Sequence, residues 1–159
     1  MTTRRVAERA GVSPGLVHYH VGSIEGLRRA AACEGARSLL EGPFREALEA
    51  PNLREGLLAF LLRLDLKPDY PGVVLLNEAL VAATHDAELR SDLATMFSTF
   101  RARLAERLAA QKGAHAGEAE ARALVLVAAV DGFLLQRALD PNLGAEQLIR
   151  GIEPFLEPQ

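Results

Sequence analysis

The chain has 159 residues, of which 49% are hydrophobic, enough to bury a core as one domain or as a small head on a larger body. Cys33 is the only cysteine, which excludes an internal disulfide and fits a reducing cytoplasm. The polar N-terminal segment does not resemble a signal peptide, and the longest apolar run, over 123–130, is far shorter than the roughly 20 residues of a membrane span. We therefore expect a soluble, cytoplasmic protein.

Charge is distributed unevenly along the chain. The net charge is −3, but the first 37 residues contain six arginines and three glutamates and so carry +3, which leaves −6 on the remainder. A basic end on an acidic body is typical of a protein that meets a polyanion with one end.

Residues 2–21 predict two short helices joined by a tight turn. Val6, Ala7 and Ala10 lie on one helical face. Gly11 is the residue type favoured just after a helix C-terminus. Ser13 then fits an N-cap, with Pro14 at the first helical position, where its missing N–H costs nothing. Helix, turn and capped helix together predict a helix-turn-helix, the arrangement that places one helix in the major groove of DNA.

The rest of the chain predicts helices only. Ser23 fits the cap of a helix that links this head to the body, and later helices are separated by a turn over 67–72, a break over 113–117 and Pro141. The predicted helices span 24–41, 44–50, 51–66, 73–84, 86–112, 118–140 and 145–156. Because no segment has the alternating pattern of a strand, we predict an all-α fold, a helix-turn-helix head followed by a helical body.

The opening segment resembles the DNA-binding domain of the tetracycline-repressor (TetR) family. The residues that carry the resemblance are Thr3, Arg4, Val6, Ala7, Ala10, Gly11, Val12, Ser13, Pro14, Gly15, Val17, His20, Val21, Gly22, Ser23, Glu25 and Leu27. In that family the domain has three helices, and the usual first helix precedes the segment that opens this chain. Ile24 replaces a lysine that meets a phosphate in the family, and Val21 replaces an aromatic residue.

The resemblance and the geometry of a recognition helix together predict the residues that contact DNA. Arg4 is expected to contact a guanine and Thr3 a phosphate, while His18 and Tyr19 are placed for phosphate or base contact. The full predicted set is Thr3, Arg4, Arg5, Pro14, Gly15, Leu16, His18, Tyr19 and His20. The alternative for Arg4 and Arg5 is a solvated helix start without a functional role.

In the body, the resemblance implies a small-molecule pocket whose occupancy changes the spacing of two heads in a dimer. The predicted pocket residues are Phe60, Leu61, Leu64, Asn77, Leu80, Thr84, His85, Phe97, Phe100, Phe133 and Gln136. Each apolar residue of this set fits plain core packing as well. Asn77 is the more informative member, because an amide in an apolar run needs a partner if it is buried.

The apolar helix around 124–135 and the last helix predict the seam of a two-fold homodimer, in which two helices from each chain form a four-helix bundle. The predicted interface residues are Leu124, Ala128, Asp131, Leu135, Leu148, Ile152 and Phe155. Asp131 has three alternative roles: a bond across the dimer, a pair with Arg137, or an anchor for a ligand.

Two enzyme-like patterns are explained better by local structure. Gly11, Ser13 and Gly15 match the Gly-x-Ser-x-Gly of a hydrolase nucleophile elbow, but that elbow needs a strand before the serine, and a helix precedes Ser13. His18 and His20, two apart on a helix, point to different faces and do not form a metal pair. We expect no catalytic residues, no metal and no cofactor.

The sequence therefore predicts a dimeric transcriptional regulator, a repressor of a palindromic DNA operator that is released by a small hydrophobic ligand. Its predicted parts are a head with the linking helix over 1–42 and a ligand-binding and dimerisation domain over 43–159. The alternative is a helical ligand-binding or dimerisation protein that has lost DNA binding, an alternative that Ile24 and the lack of the usual first helix favour.

Overall fold

The computed structural model describes the backbone of residues 2–65, 71–111 and 116–156. Its helices are α1 (Thr3–Ala10), α2 (Pro14–Val21), α3 (Ile24–Leu39), α4 (Arg45–Glu49), α5 (Leu53–Asp65), α6 (Pro71–Ala82), α7 (Ala87–Ala109), α8 (Ala116–Leu139) and α9 (Ala145–Leu156), with a π-helical segment (Leu40–Phe44) between α3 and α4. These ranges contain no strand, which confirms the predicted all-α fold. None of the described helices has the length and hydropathy needed to cross a membrane.

Proline and glycine account for the differences between predicted and observed helix ends. The helix predicted over 24–41 instead widens into the π-helical segment, because Pro43 lacks an N–H and its ring clashes with the carbonyl four residues earlier in an α-helix. Helix α6 begins at Pro71, inside the predicted turn, since proline suits the first turn of a helix. The predicted break was wrong at Ala116 and Gly117, which are the first two residues of α8. The other residues of that turn and break, 67–70 and 113–115, lie outside the described residues.

The core of the body forms between α7 and α8, which pack on each other, and α9, which packs on both α8 and α5. The stripe predicted on α7 at three- and four-residue steps is buried along its length, from Leu89 to Leu108. Phe44 packs edge-on against Phe60 and Phe100, with ring centroids 4.8 and 4.2 Å apart. Such edge-to-face contacts add to the free energy gained from burying the rings.

Helix α3 packs on the body as well as on the head. Its contact with α6 is the most extensive between two helices in the described part of the chain. A Cβ added at Gly35 would lie 2.6 Å from the Cβ of Leu75, so glycine is what allows α3 to approach α6 so closely. The linking helix is therefore fixed to the body by close packing.

Helix α9 is held at its C-terminal end by a buried arginine. The Arg122 Nε donates to the Phe155 carbonyl at 2.9 Å, and the Gln111 Nε2 donates to the Leu156 carbonyl at 2.8 Å. These side chains satisfy carbonyls that have no partner within the helix. They fix α9 against the start of α8.

Candidate functional site

The turn between α1 and α2 has the predicted chemistry. Gly11 follows α1 with a φ of 68°, in the left-handed region that glycine adopts without strain, and the Val12 amide donates to a carbonyl of α1 at 3.0 Å. The Ser13 hydroxyl accepts from the Leu16 amide at 3.2 Å and caps α2, with Pro14 as its first residue. The predicted helix-turn-helix is confirmed.

The residues predicted to contact DNA lie at the surface of α1 and α2. Tyr19 is 82% exposed, and its ring stands edge-on to that of His20 with centroids 5.2 Å apart. Val17 and Val21, which the recognition-helix geometry turns inward, are half-buried, as is Thr3. The exposed members are Arg4, Arg5, Pro14, Gly15, Leu16, His18, Tyr19 and His20. They are available to a partner, and their contact with DNA stays a prediction.

Arg4, the residue expected to contact a base, is held in a weak ion pair. Its Nε donates to the Oε1 of Glu8 at 3.2 Å, and both side chains are exposed. An exposed pair one helical turn apart is worth only about 0.3–0.5 kcal/mol. The guanidinium can therefore exchange Glu8 for a base or phosphate at little cost.

A charged cluster fastens the head end of α3 to the start of α7. The Arg29 Nη2 donates to the Asp86 Oδ2 at 2.9 Å, and Arg29 also pairs with Glu88. Asp86 caps α7 by accepting from the Leu89 amide at 3.0 Å. That amide, together with Arg29, lowers the pKa of Asp86, so the pair stays ionised at neutral pH.

An open groove of about 640 Å³ lies beside this cluster, between α3, α6 and the start of α7. Its lining combines alanine and leucine side chains with Val6 of α1 and with five charged residues: Glu25, Arg28, Arg29, Glu78 and Asp86. The head therefore meets the body across a partly filled surface. In the head, α1 and α2 bury only Ala7.

The centre of the body contains an internal cavity of about 20 Å³. Its lining residues come from the π-helical segment, α5, α6, α7 and α8: Phe44, Phe60, Leu76, Phe97, Phe100, Val127, Val130, Asp131 and Leu134. A cavity of this volume holds about one water molecule. Among the described lining residues, Asp131 is the only polar one, and the others have aromatic or aliphatic side chains.

Asp131 accepts no hydrogen bond from the residues that the structure describes. Burial in this apolar wall disfavours the charged carboxylate and raises the pKa of Asp131 to about 6, while the Arg101 guanidinium on α7 acts in the opposite direction. The half-buried carboxyl group thus lies beside the cavity without a hydrogen-bond donor among the described residues.

The predicted pocket residues divide between this cavity and a groove at the surface. Phe60, Phe97 and Phe100 line the internal cavity. Leu80, Thr84 and again Phe97 border a surface groove of about 320 Å³. Phe97 is thus a lining residue of both spaces.

The other predicted pocket residues line neither space. Leu61 and Phe133 are buried in the core, whereas His85 and Gln136 are exposed. Asn77 is half-buried, so its amide does not require a protein partner. The side chain of Leu64 lies outside the described residues.

The predicted dimer residues form an exposed stripe on α8 with part of α9. Leu124 and Leu135 are 57% and 55% exposed, and Ala128 lies on the same face of α8. Phe155 is also exposed, Leu148 and Asp131 are half-buried, and Ile152 is buried in the core of its own chain. Contact with a second copy stays a prediction.

Two cavity residues had a weak sequence signal. Phe44 follows a proline at a helix boundary, and its place in the cavity depends on the π-helical segment, which the apolar pattern did not reveal. Asp131 interrupts an apolar helix, which indicates that its carboxylate has a particular role. The pattern does not indicate whether it faces a cavity or a second copy of the chain. Among the described residues, no group of three or more His, Cys, Asp or Glu side chains is placed to hold a metal ion.

The chain has the fold of several solved regulators. Over 98% of this chain and 86% of the other, it superposes on a protein assigned to the TetR family from Rhodococcus sp. (TM-score 0.68, 21% identity) and on SCO7518 from Streptomyces coelicolor A3(2) (0.69, 23%). The TetR family regulator PfmR from Thermus thermophilus matches 98% of this chain with 87% of its own (0.63, 16%). At these identities the likeness shows the fold alone.

Sequence comparison shows the family. No curated protein sequence is significantly similar to the chain. Residues 48–157 match the sequence model of the tetracyclin repressor-like C-terminal domain, which covers most of the body and more than half of the chain. The chain belongs to the tetracyclin repressor-like (TetR) family of transcriptional regulators.

Proposed function

We propose that this protein is a homodimeric repressor that binds a palindromic DNA operator through α1 and α2 and is released by a small hydrophobic ligand. The observation that carries the proposal is the capped helix-turn-helix, which exposes one face to solvent. It precedes, in the same chain, a body that matches the tetracyclin repressor-like C-terminal domain. Such a protein works in the bacterial cytoplasm, where its lone Cys33 stays reduced, and it needs no catalytic group.

In this proposal α2 enters the major groove. Its first turn lies against base edges, while Arg4 and Tyr19 contact bases or phosphates beside it. The head is basic although the whole chain is acidic, which favours approach of DNA to this end.

Replacement of Arg4 by alanine tests the DNA contact. A fluorescence anisotropy titration with DNA from the protein's own promoter should give an affinity lower by at least about 30-fold, because the change removes a base contact of about 1–3 kcal/mol from each of the two half-sites. Arg45→Ala is the matched control, because Arg45 forms a similar exposed pair with Glu49 on α4 of the body. Equal affinities of the wild type and R4A would overturn the role of Arg4.

The dimer is proposed to form through the exposed face of α8 together with α9. Leu124 and Leu135 place apolar surface in contact with water on this face, and an exposed apolar patch marks a protein–protein interface. Two-fold pairing of this face would set the spacing of two heads to match a palindrome. Leu135→Glu should give a monomer in analytical sedimentation, whereas Val81→Glu, at an exposed position on α6, should leave the dimer intact. A wild-type monomer at all concentrations would contradict this part.

The ligand is proposed to bind between α6, α7 and α8, where the cavity and the surface groove share Phe97. Helices α6 and α7 also contact α3, through Leu75 against Gly35 and through Asp86 against Arg29. A ligand that moves α6 or α7 would therefore move the helix that positions the head. This connection supports release of DNA as the response.

The alternative function, ligand binding or dimerisation without DNA binding, is favoured by one observation. In the head, α1 and α2 bury only Ala7, so their crossing angle has little support from packing. The two functions differ in the same titration: the alternative expects no preference for promoter DNA over a scrambled duplex.

A further inference from the structure

We propose that the ligand of the body is an organic amine whose ammonium group seats on Asp131 and whose apolar part extends past Phe97 into the surface groove. The inference rests on the proposed ligand-binding function and adds the chemical class of the ligand.

Charge complementarity favours an amine. Among the described residues that line the internal cavity, Asp131 is the only charged one, and none of the described residues donates a hydrogen bond to it. Its half-buried carboxylate lies in an apolar wall, and an ammonium group supplies both the opposite charge and hydrogen-bond donors. A neutral apolar ligand would leave the desolvation cost of this carboxylate in place, and an anionic one would increase it.

Aromatic side chains form much of the cavity wall. Phe60, Phe97 and Phe100 line the same cavity as Asp131, and Phe44 packs edge-on between two of these rings. Phenylalanine faces attract ammonium groups, and a carboxylate beside several rings is a combination suited to an organic cation.

The available space fits a ligand with a small charged group and a larger apolar part. The cavity of about 20 Å³ accommodates only a small polar group, such as an ammonium. The groove of about 320 Å³, bordered by Leu80 and Leu93, is large enough for the apolar part of a small ligand. Because Phe97 lines both spaces, the proposed ligand would pass beside its ring.

The experiment compares amines with alcohols of the same skeleton. Phenethylamine, 4-phenylbutylamine and the two corresponding alcohols are titrated by calorimetry into the full-length protein without DNA, at pH 7.5. We expect each amine to bind at least about tenfold tighter than its alcohol, as for one charge-assisted hydrogen bond. Asp131→Asn should remove this preference and leave alcohol binding unchanged. Asp92→Asn, at an exposed position on α7, removes the same charge and should have no effect.

A pH series on the wild type gives a measurement that needs no variant. Amine affinity should fall as the pH drops through about 6, where the Asp131 carboxylate becomes protonated while the amine stays charged. Arg101 of α7 is the charged group that acts on Asp131, and it does not titrate in this range; the lining residues from the π-helical segment, α5 and α6 are uncharged. Alcohol affinity should not change over the same interval.

Several results would overturn the proposal: no binding of either amine, equal binding of amines and alcohols, or an amine preference that D131N retains. A change in the monomer–dimer equilibrium of D131N without a change in amine binding would assign Asp131 to the dimer instead. Because the titrations contain no DNA, they test the ligand class separately from repression. Failure of DNA binding with intact amine selectivity would reject the proposed function alone.

Discussion

The head and the body of this protein are stabilised by different means. In α1 and α2 only Ala7 is buried. The helical conformation of these two segments therefore depends on caps at Thr2 and Ser13 and on contact with α3. In the body, α5, α7, α8 and α9 each bury several large side chains in one core. Short helices are marginal without packing, whereas the body stabilises itself. The comparison indicates that most of the free energy of folding comes from packing in the body. The orientation of α1 and α2 can therefore change without loss of that core.

The largest expected effect comes from truncating one leucine in each region. Leu104→Ala in α7 should lower the free energy of unfolding by about 2–5 kcal/mol, because Leu104 is fully buried. Leu16→Ala in α2 should change it by less than about 0.5 kcal/mol, since Leu16 is 45% exposed. Denaturant unfolding followed by circular dichroism, at one protein concentration, measures both. A large loss in L16A would mean that head and body share one core.

The contact between the two regions can be tested at Gly35. Gly35→Ala places a Cβ against Leu75 and should separate α3 from α6, at a cost of about 1–3 kcal/mol. Gly117→Ala is the control, because a Cβ at Gly117 meets no other atom within 4 Å. The same unfolding measurement applies, and a neutral G35A would show that the close approach of α3 to α6 is dispensable.

The smallest expected effect is a pH-dependent gain in the free energy of unfolding when Asp131, in the body, is replaced by asparagine. The pKa of Asp131 is raised in the folded state to about 6, so its charge destabilises the fold above that pH, and the penalty disappears below about 4. Asp131→Asn should therefore stabilise the protein at pH 7.5 by about 1–2 kcal/mol, after allowance for partial exposure, and have no effect near pH 3.5.

Thermal melts at the two pH values measure this difference. Asp92→Asn, at an exposed position, should show no such pH dependence. Destabilisation by D131N at pH 7.5 would reveal a favourable partner for the carboxylate, such as a second copy of the chain.

The sequence was sufficient to predict the helices and the turn of the head, because the residues that determine them act on their immediate neighbours in the chain. Gly11, Ser13 and Pro14 act on their own turn and cap, and the structure has them as predicted. The periodic stripe of α7 likewise determines which face is buried. Such features depend on neighbours within one or two helical turns.

The candidate ligand site was predicted only in part because it depends on contacts between distant helices. Phe60, Phe97 and Phe100 come together in the cavity, but His85 and Gln136 turn to the surface and Phe44 was missed. Helical periodicity identifies the apolar face of a helix, not which residue on it borders a cavity. That depends on how α5, α6, α7 and α8 cross.

Sequence-specific DNA binding by the head is measured by an anisotropy titration of the full-length chain with a palindrome from its own promoter. A scrambled duplex of equal length is the control, and both duplexes are titrated at two salt concentrations. We expect binding of one dimer, a preference of at least about 10³ for the palindrome, and affinity that falls as salt rises. Equal affinity for both duplexes would instead support a family member that has lost DNA binding.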